Sequence, residues 1–390
     1  MNSIHPTHFG CVFGRSEIAP LEGPDVFQQP ESHTFSIYEN ELPGFVETEM
    51  TRLYANIHSS VPKLRADGCA DSVTTYVLRK GAIVTAVLVF RWCGNRVEVV
   101  NECIKLDDND IQCFADAIFS TYRSAEVISF YAVEAAVKRI SYPYQCFTCL
   151  EDIVLKLPAS SDAYFNSLGK STRQNISYYS KLVRRHHASY EFRICGVQEL
   201  TDALVRNIIH FSNARIAAKN QVSLHDEENT RKLAQLIRLH GFVGVVLIDG
   251  RVCAGAICSK LGSNYFLHVL AHDQLYDRYS LGTLCCYLTI RESIANGGQT
   301  FHFLWGRMEY KYRLQGVQCD LQRVVVYRSR LQLILNAALA MKTLINGVGR
   351  LIKIWLLAPE RKDCVVSIAA VKIESSTRRF LSALSYRPGR

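Results

Sequence analysis

The chain has 390 residues and a mass of 44.1 kDa, with 48% hydrophobic, 10% aromatic and 21% charged residues. That composition fills sizeable cores, excludes intrinsic disorder and fibrous repeats, and suits two or three domains. Forty-five Lys and Arg against 36 Asp and Glu leave a net charge of +9, which fits an anionic ligand, a lipid surface or nucleic acid and chooses none of them.

Residues 1–33 hold four of the ten prolines and no sustained periodicity, an irregular lead-in. Their start lacks the basic-then-apolar layout of a secretory signal. The 14 cysteines scatter singly apart from Cys146/Cys149 and Cys285/Cys286. Reduced, mostly buried thiols in a cytoplasmic chain are the expectation. Cys146-Phe-Thr-Cys149 has the spacing of half a zinc site, but nothing in the sequence supplies the other half, so no metal is expected.

Helical and strand patterns then alternate, which favours α/β layers. Residues 44–58 read as helical, and 73–80 and 82–91 as strands joined at a Lys80-Gly81 hairpin turn. Asn95 turns the chain into a strand at 96–100, followed by a helix at 109–123 and a strand at 126–132. The same layout recurs. Residues 77–89 lie over 246–258 without a gap, at an offset of 169 that also carries Asn95 onto Asn264. Each copy continues as strand, loop, helix, strand, ending at 126–132 in the first and 299–305 in the second. Two copies make a duplication of α/β domains rather than a solenoid. The expected division is a lead-in at 1–33, an N-terminal domain at 34–154, a C-terminal domain at 155–328 and a helical tail at 329–390.

The copies differ where chemistry would sit. In the second, a strand at 265–271 leads through His272, Asp273 and Arg278 to a helix at about 282–296, closed by Gly297-Gly298. A helix start of this kind presents free N–H groups and the positive end of the helix dipole to an anion. Ser280 suits the N-cap, Gly282 lets the backbone approach closely, and Arg278 adds a permanent charge. The equivalent stretch of the first copy, 103–111, holds three aspartates and no glycine and would repel a polyphosphate. One working site is expected, in the C-terminal copy, with the N-terminal copy as scaffold or acceptor wall.

Residues 331–357 are strongly apolar and broken only by Lys342, Arg350 and Lys353. Three internal charges argue against a spanning helix, which needs about 20 apolar residues. A helix pair packed on the core, split near Asn346-Gly347, is the preferred expectation; a helix lying in a membrane interface, with Trp355 as anchor, is the alternative.

Tyr279-Ser-Leu-Gly282, the helix after it, the strand at 300–304 and then Gly306-Arg-Met-Glu-Tyr310-Lys311-Tyr-Arg313 resemble the cellulose-biosynthesis (CelD-like) acyltransferases of the GNAT superfamily. Upstream, Leu168-Gly-Lys170-Ser171-Thr-Arg173-Gln-Asn175 resembles the basic helix start of the same family. The resemblance covers about 155–316 and accommodates the duplication, because the Fem-type and CelD-like branches carry tandem GNAT-like folds. It implies an α/β fold of tandem GNAT-like domains, with mixed central sheets flanked by helices and a degenerate first copy. It further implies transfer from acetyl-CoA or another acyl-CoA to a hydroxyl or amine, by direct attack on the thioester. On this resemblance the CoA pyrophosphate would sit on Arg278, Tyr279, Ser280, Leu281, Gly282 and Thr283, with pantetheine along the strand near Leu270 and Ala271. The general GNAT loop, Gln/Arg-x-x-Gly-x-Gly/Ala, is matched only at Gly282, since Tyr279 and Leu284 stand at its ends.

Attack on a thioester needs a base for the acceptor's proton and an acid for the leaving thiolate. His268 is one candidate base, with a pKa naturally near working pH, set against a buried structural histidine. Glu309 as base with Tyr310 as acid is the second, set against a solvated turn. Lys311 and Arg173 are candidates to hold an anionic acceptor or the CoA phosphates, with Arg307 and Arg313 as further cations on what is usually a wet face. His302, between two phenylalanines, is expected to be structural, and Asp273 either orients His272 or caps a turn. Cys285 and Cys286 are poor nucleophile candidates because no histidine accompanies them in sequence. The helix at 170–187 carries a basic face over a buried side of Ile176, Tyr179, Leu182 and Val183. Its RNA-binding use is disfavoured by the modest net charge and the absence of an aromatic RNA motif. The acceptor implied at family level is a saccharide or cell-envelope intermediate. The alternatives are a Fem-type transferase using aminoacyl-tRNA and a non-catalytic accessory protein of polysaccharide assembly held at the membrane through 331–357.

Overall fold

The protein is described from a computed structural model over residues 33–218 and 226–356, so the lead-in lies outside the described residues apart from His33. The first half runs β1 (His33–Tyr38), α1 (Phe45–Tyr54), α2 (Val61–Ala66), β2 (Thr74–Lys80), β3 (Ile83–Cys93), β4 (Arg96–Val99) and β5 (Lys105–Leu106). It continues through α3 (Asp108–Thr121), β6 (Val127–Ala135) and β7 (Tyr144–Lys156). Two connecting helices follow, α4 (Ser161–Ser167) and α5 (Lys170–His186). The second half repeats the first as β8 (Glu191–Cys195), α6 (Asp202–Ala218), α7 (Glu227–His240), β9 (Gly241–Ile248), β10 (Arg251–Leu261) and β11 (Asn264–His272). Then come α8 (Leu281–Ala295), β12 (Thr300–His302), α9 (Glu309–Arg313) and β13 (Val317–Tyr327), and the tail is α10 (Arg330–Leu335) and α11 (Ala337–Leu356).

The strands form one mixed sheet in the order β1-β2-β3-β4-β6-β13-β7-β12-β11-β10-β9-β8, with β5 added beside β6. The order is palindromic. Hairpin β2–β3, turned at Gly81 with φ +60°, corresponds to β9–β10, turned at Gly250 with φ +73°. The parallel pair β4–β6 corresponds to β11–β12. At the centre each half lends its last strand to the other: β7 pairs with β12, β13 pairs with β6, and the two lie antiparallel side by side. A sheet covered on both faces needs strands that are apolar nearly throughout, and Val87, Leu88, Val89 and Phe90 on β3 are all fully buried. In the second half, α4, α5 and α8 cover one face through Tyr164, Ile176, Val183, Leu284 and Ile290. The other face is covered by α6 and α7 through Val205, Ile208, Leu233 and Ile237.

Two expectations about elements change. The strand expected at 299–305 ends at His302, because the carbonyls of Phe303, Leu304 and Trp305 turn to accept from Lys311 Nζ instead of a neighbouring strand. The tail breaks at Asn336, and α11 runs through Asn346-Gly347 without interruption. Gly347 is a packing glycine: a Cβ there would lie 2.5 Å from Phe147 Cγ on β7. Arg350 forms an ion pair with Glu151 on the same strand, so one side of α11 is fastened to the sheet.

Candidate functional site

The two halves offer the same element, a helix start after a strand, and treat it oppositely. In the first half, Asp107 Oδ1 accepts from the Asp110 N–H at 2.8 Å, and Asp110 Oδ2 accepts from the Asp107 N–H at 3.2 Å. This capping box fills the N-terminus of α3 with the chain's own carboxylates. The gap after β4 is closed as well, because β5 pairs again with β6 and the Cys103 N–H reaches the Ala132 carbonyl at 2.7 Å.

In the second half both remain open. β11 pairs with β12 only over 264–266 and then runs on to His272 beside β10 alone. Ser280 does not act as the expected N-cap: it adopts the left-handed conformation, φ +51°, and its side chain makes no capping bond. The first ladder bond of α8 is Leu284 N–H to Ser280 C=O at 3.1 Å, which leaves the N–H groups of Leu281, Gly282 and Thr283 ahead of the ladder. A Cβ on Gly282 would stand 2.9 Å from His272 Nδ1, so glycine is what lets this turn close under the imidazole. The other ring nitrogen, Nε2, meets Asp277 Oδ1 at 2.8 Å. Asp277 therefore orients His272, while Asp273 caps the turn by accepting from the Leu275 N–H at 3.0 Å. Proximity in sequence favours Asp273, but the 274–279 helical turn carries Asp277 round to the ring.

Tyr279 enters this loop as a pin and not as a side chain facing a ligand. It is 1% exposed, and its hydroxyl lies 3.1 Å from His186 Nδ1 and 3.2 Å from His187 Nε2. Arg278 donates to the same hydroxyl, with its guanidinium 4.6 Å from the ring centroid. The end of basic helix α5 is thereby tied to the loop, a role for the paired histidines that charge counting does not reveal. Leu281 is fully buried, and Leu270 and Ala271 pack to opposite faces of the sheet, so these three can offer a ligand only backbone.

His268 sits on a β-bulge. Ile257 pairs with Val269 and Cys258 with Leu267, so His268 is the extra residue. A bulge re-aims side chains. Leu267 and Leu270 pack on the α8 side, whereas Val269 and Ala271 pack on the α6 side. His268 Nε2 lies 2.8 Å from Ser259 Oγ, and its ring centroid is 6.4 Å from that of His58, a residue of the first half. His302 is held at both nitrogens, by Asp152 Oδ2 at 2.6 Å and Thr300 Oγ1 at 3.0 Å, and stacks on Phe266 at 4.6 Å, a structural placement.

The α9 candidates separate. Glu309 is 77% exposed and paired with Arg313 at 2.6 Å, the solvated alternative. Tyr310 turns inward against Phe303, and burial pushes its phenol well above the ordinary value, so it stays protonated. Lys311 does not reach towards an anion: its buried Nζ donates to three carbonyls and shapes the 303–305 loop. Desolvation, opposed in part by Asp152, lowers its pKa to about 8. Arg173 is likewise committed, donating to the carbonyls of Asn166 and Leu168, both at 2.7 Å, to close the α4–α5 corner. Both cations looked available in sequence because their carbonyl partners carry no side-chain signature. Burial raises the Cys285 thiol to about 12 and Cys286 well above its ordinary value, so neither is a ready thiolate. Among the described residues no group of three or more His, Cys, Asp or Glu is placed to hold a metal, and no helix is long and apolar enough to cross a membrane.

Comparisons with known proteins place this geometry. Residues 170–312 match the model of the acetyltransferase (GNAT) domain family. The fold is similar to that of FemX, with a TM-score of 0.56 at 7% identity, over 74% of this chain and 98% of that one. It is also similar to a conserved protein of unknown function from Bacteroides thetaiotaomicron VPI-5482, with a TM-score of 0.50 at 11% identity, over 72% of this chain and 96% of that one. No curated protein matches the chain. Residues 170–312 are thus similar to an acetyltransferase (GNAT) domain, an acyl-CoA-dependent acyl-transfer module in general, and the two-part sheet as a whole shares the fold of FemX.

Proposed function

We propose that the second half, 155–328, binds an acyl-CoA and transfers its acyl group to a saccharide or cell-envelope acceptor, as in the CelD-like branch, with the first half, 34–154, as a degenerate partner. The supporting observation is the contrast between the two helix starts: α3 is plugged by Asp107 and Asp110, and α8 is not. In this reading the pyrophosphate lies on the N–H groups of residues 281–283 beside Arg278, and pantetheine follows the β11 backbone at Leu270 and Ala271. The thioester then reaches the divergence of β11 from β12. There His268 accepts the acceptor's proton as its oxygen or nitrogen bonds to the acyl carbon. As the carbon–sulfur bond breaks, Tyr310 passes its proton to the departing thiolate and recovers one from His268, so the phenol ends protonated. Acetyl-CoA is the first donor to test. Titration with CoA, acetyl-CoA and longer acyl-CoAs is expected to raise thermal stability saturably, by about 2.7 kcal/mol at a hundredfold Kd. No shift with any of them would remove the acyl-CoA reading and favour aminoacyl-tRNA as donor.

The same reading places the protein in the cytoplasm, touching a membrane surface through α10 and α11. Leu331, Ile334, Leu335, Ile345, Ile352 and Trp355 are between 52% and 69% exposed. No acidic residue occurs between Arg328 and Pro359, so the net charge of this segment complements anionic headgroups. Phosphatidylglycerol vesicles are expected to sediment the protein and phosphatidylcholine vesicles are not. Ile345→Glu with Ile352→Glu should weaken this binding about tenfold or more. Equal recovery with both vesicle types, or none, would remove the contact.

A further inference from the structure

The first half does more than plug its own site. The short turn Ile57–Ser59 carries His58 across to the open divergence of the second half, where its ring lies 4.8 Å from Trp305 and 6.4 Å from His268, centroid to centroid. The backbone of this turn is held on all sides. Asn56 Oδ1 accepts from the His58 N–H at 3.0 Å, and Ser60 Oγ donates to the Ile57 carbonyl at 2.7 Å. Ser59 Oγ donates to the Glu102 carbonyl at 2.7 Å, and Asn264 Nδ2, at the start of β11, donates to the Ala55 carbonyl at 2.9 Å. Amid these satisfied groups, His58 Nε2 is shielded from solvent and has no hydrogen-bond partner. A shielded ring nitrogen without a partner is a net cost to the fold, retained most readily where a ligand supplies the missing bond.

We propose that His58 is a second imidazole of the acyl-transfer site, and that it and His268 together hold an uncharged acceptor group, a hydroxyl in preference to an ammonium. The inference rests on the acyl-CoA reading above. The groups around His58 set the preference. Lys63, paired with Asp67, and His268 and His302, bound to Ser259 and Asp152, all act on its ring electrostatically. Burial first, then these neighbours, hold the His58 pKa well below the ordinary histidine value, so the ring is neutral at working pH. An ammonium here would add a cation next to Lys63, and the carboxylates of Asp67 and Asp152 are already paired with Lys63 and His302. A hydroxyl fits, since it donates to one imidazole and accepts from the other. In the reaction its O–H proton passes to His268 as the new C–O bond forms, and His58 keeps the oxygen in line.

The test uses the full-length chain and acetyl-CoA, with thiol release measured against glycerol and glucose as hydroxyl probes and spermidine and lysine as amine probes. The hydroxyl probes are expected to be the better acceptors. His58→Gln should lower kcat about 100-fold while acetyl-CoA affinity stays within about twofold, a split that a merely structural role would not produce. If the glutamine variant loses acetyl-CoA affinity, His58→Phe, which keeps a ring against Trp305, should retain affinity and lose turnover. Full turnover in both variants, preference for the amines, or acetyl-CoA binding with no thiol release to any probe would overturn the inference and leave the donor reading standing. A wild-type chain that binds no acetyl-CoA would overturn the donor reading itself.

Discussion

Replacing Gly282 by aspartate is expected to abolish acyl-CoA binding without unfolding the protein. The substitution reproduces in the second half what Asp107 and Asp110 do in the first, placing a carboxylate on the helix N-terminus that a pyrophosphate would otherwise occupy. Carboxylates are favoured there, so the helix itself gains a little. The cost falls on His272, whose Nδ1 stands 2.9 Å from the new Cβ and has to swing away, weakening its contact with Asp277. A ring tip yields more readily than backbone, which is why melting should move little. Acetyl-CoA affinity should fall about 100-fold or more, about 2.7 kcal/mol. Calorimetry on wild type and variant checks both halves of the statement. Unchanged affinity would remove the pyrophosphate assignment from this loop.

The second large effect is expected at His268. His268→Ala should reduce kcat by about 10²–10⁴-fold, the range of a lost general base, and leave acetyl-CoA binding near wild type. Glu309→Ala should change turnover less than about twofold, because that carboxylate is exposed and neutralised by Arg313 one turn away. Thiol-release kinetics of the two variants, measured side by side, decide between the two bases suggested by sequence. Full turnover in both would exclude each of them.

Much of the fold is legible in the sequence because it depends on local periodicity and on self-similarity. The hairpin at Gly81, the offset of 169, the helix at Leu281–Ala295 and the helix at Lys170–His186 follow from apolar spacing and turn glycines. The plugged α3 start is legible too, since three aspartates at a helix N-terminus are a chemical statement in themselves. The exchange of β7 and β13 between halves is not, because strand pairing over such separations leaves no local mark. For the same reason Lys311 and Arg173 look like free cations until their carbonyl partners are located. Asn346-Gly347 looks like a break until Phe147 is found against it.

The candidate site divides along the same line. Sequence by itself determined the GNAT-like strand–turn–helix, its glycine and the sense of the charge, all properties of contiguous residues. Tertiary structure alone decided which side chains face the divergence of β11 from β12. A one-residue bulge turns His268 to the interface, Tyr279 is drawn inward by His186 and His187 at the end of α5, and His58 arrives from the other half of the chain. Side-chain direction in a sheet depends on register, and register is set by partners distant in sequence, so these placements become determinate only when the whole sheet has assembled.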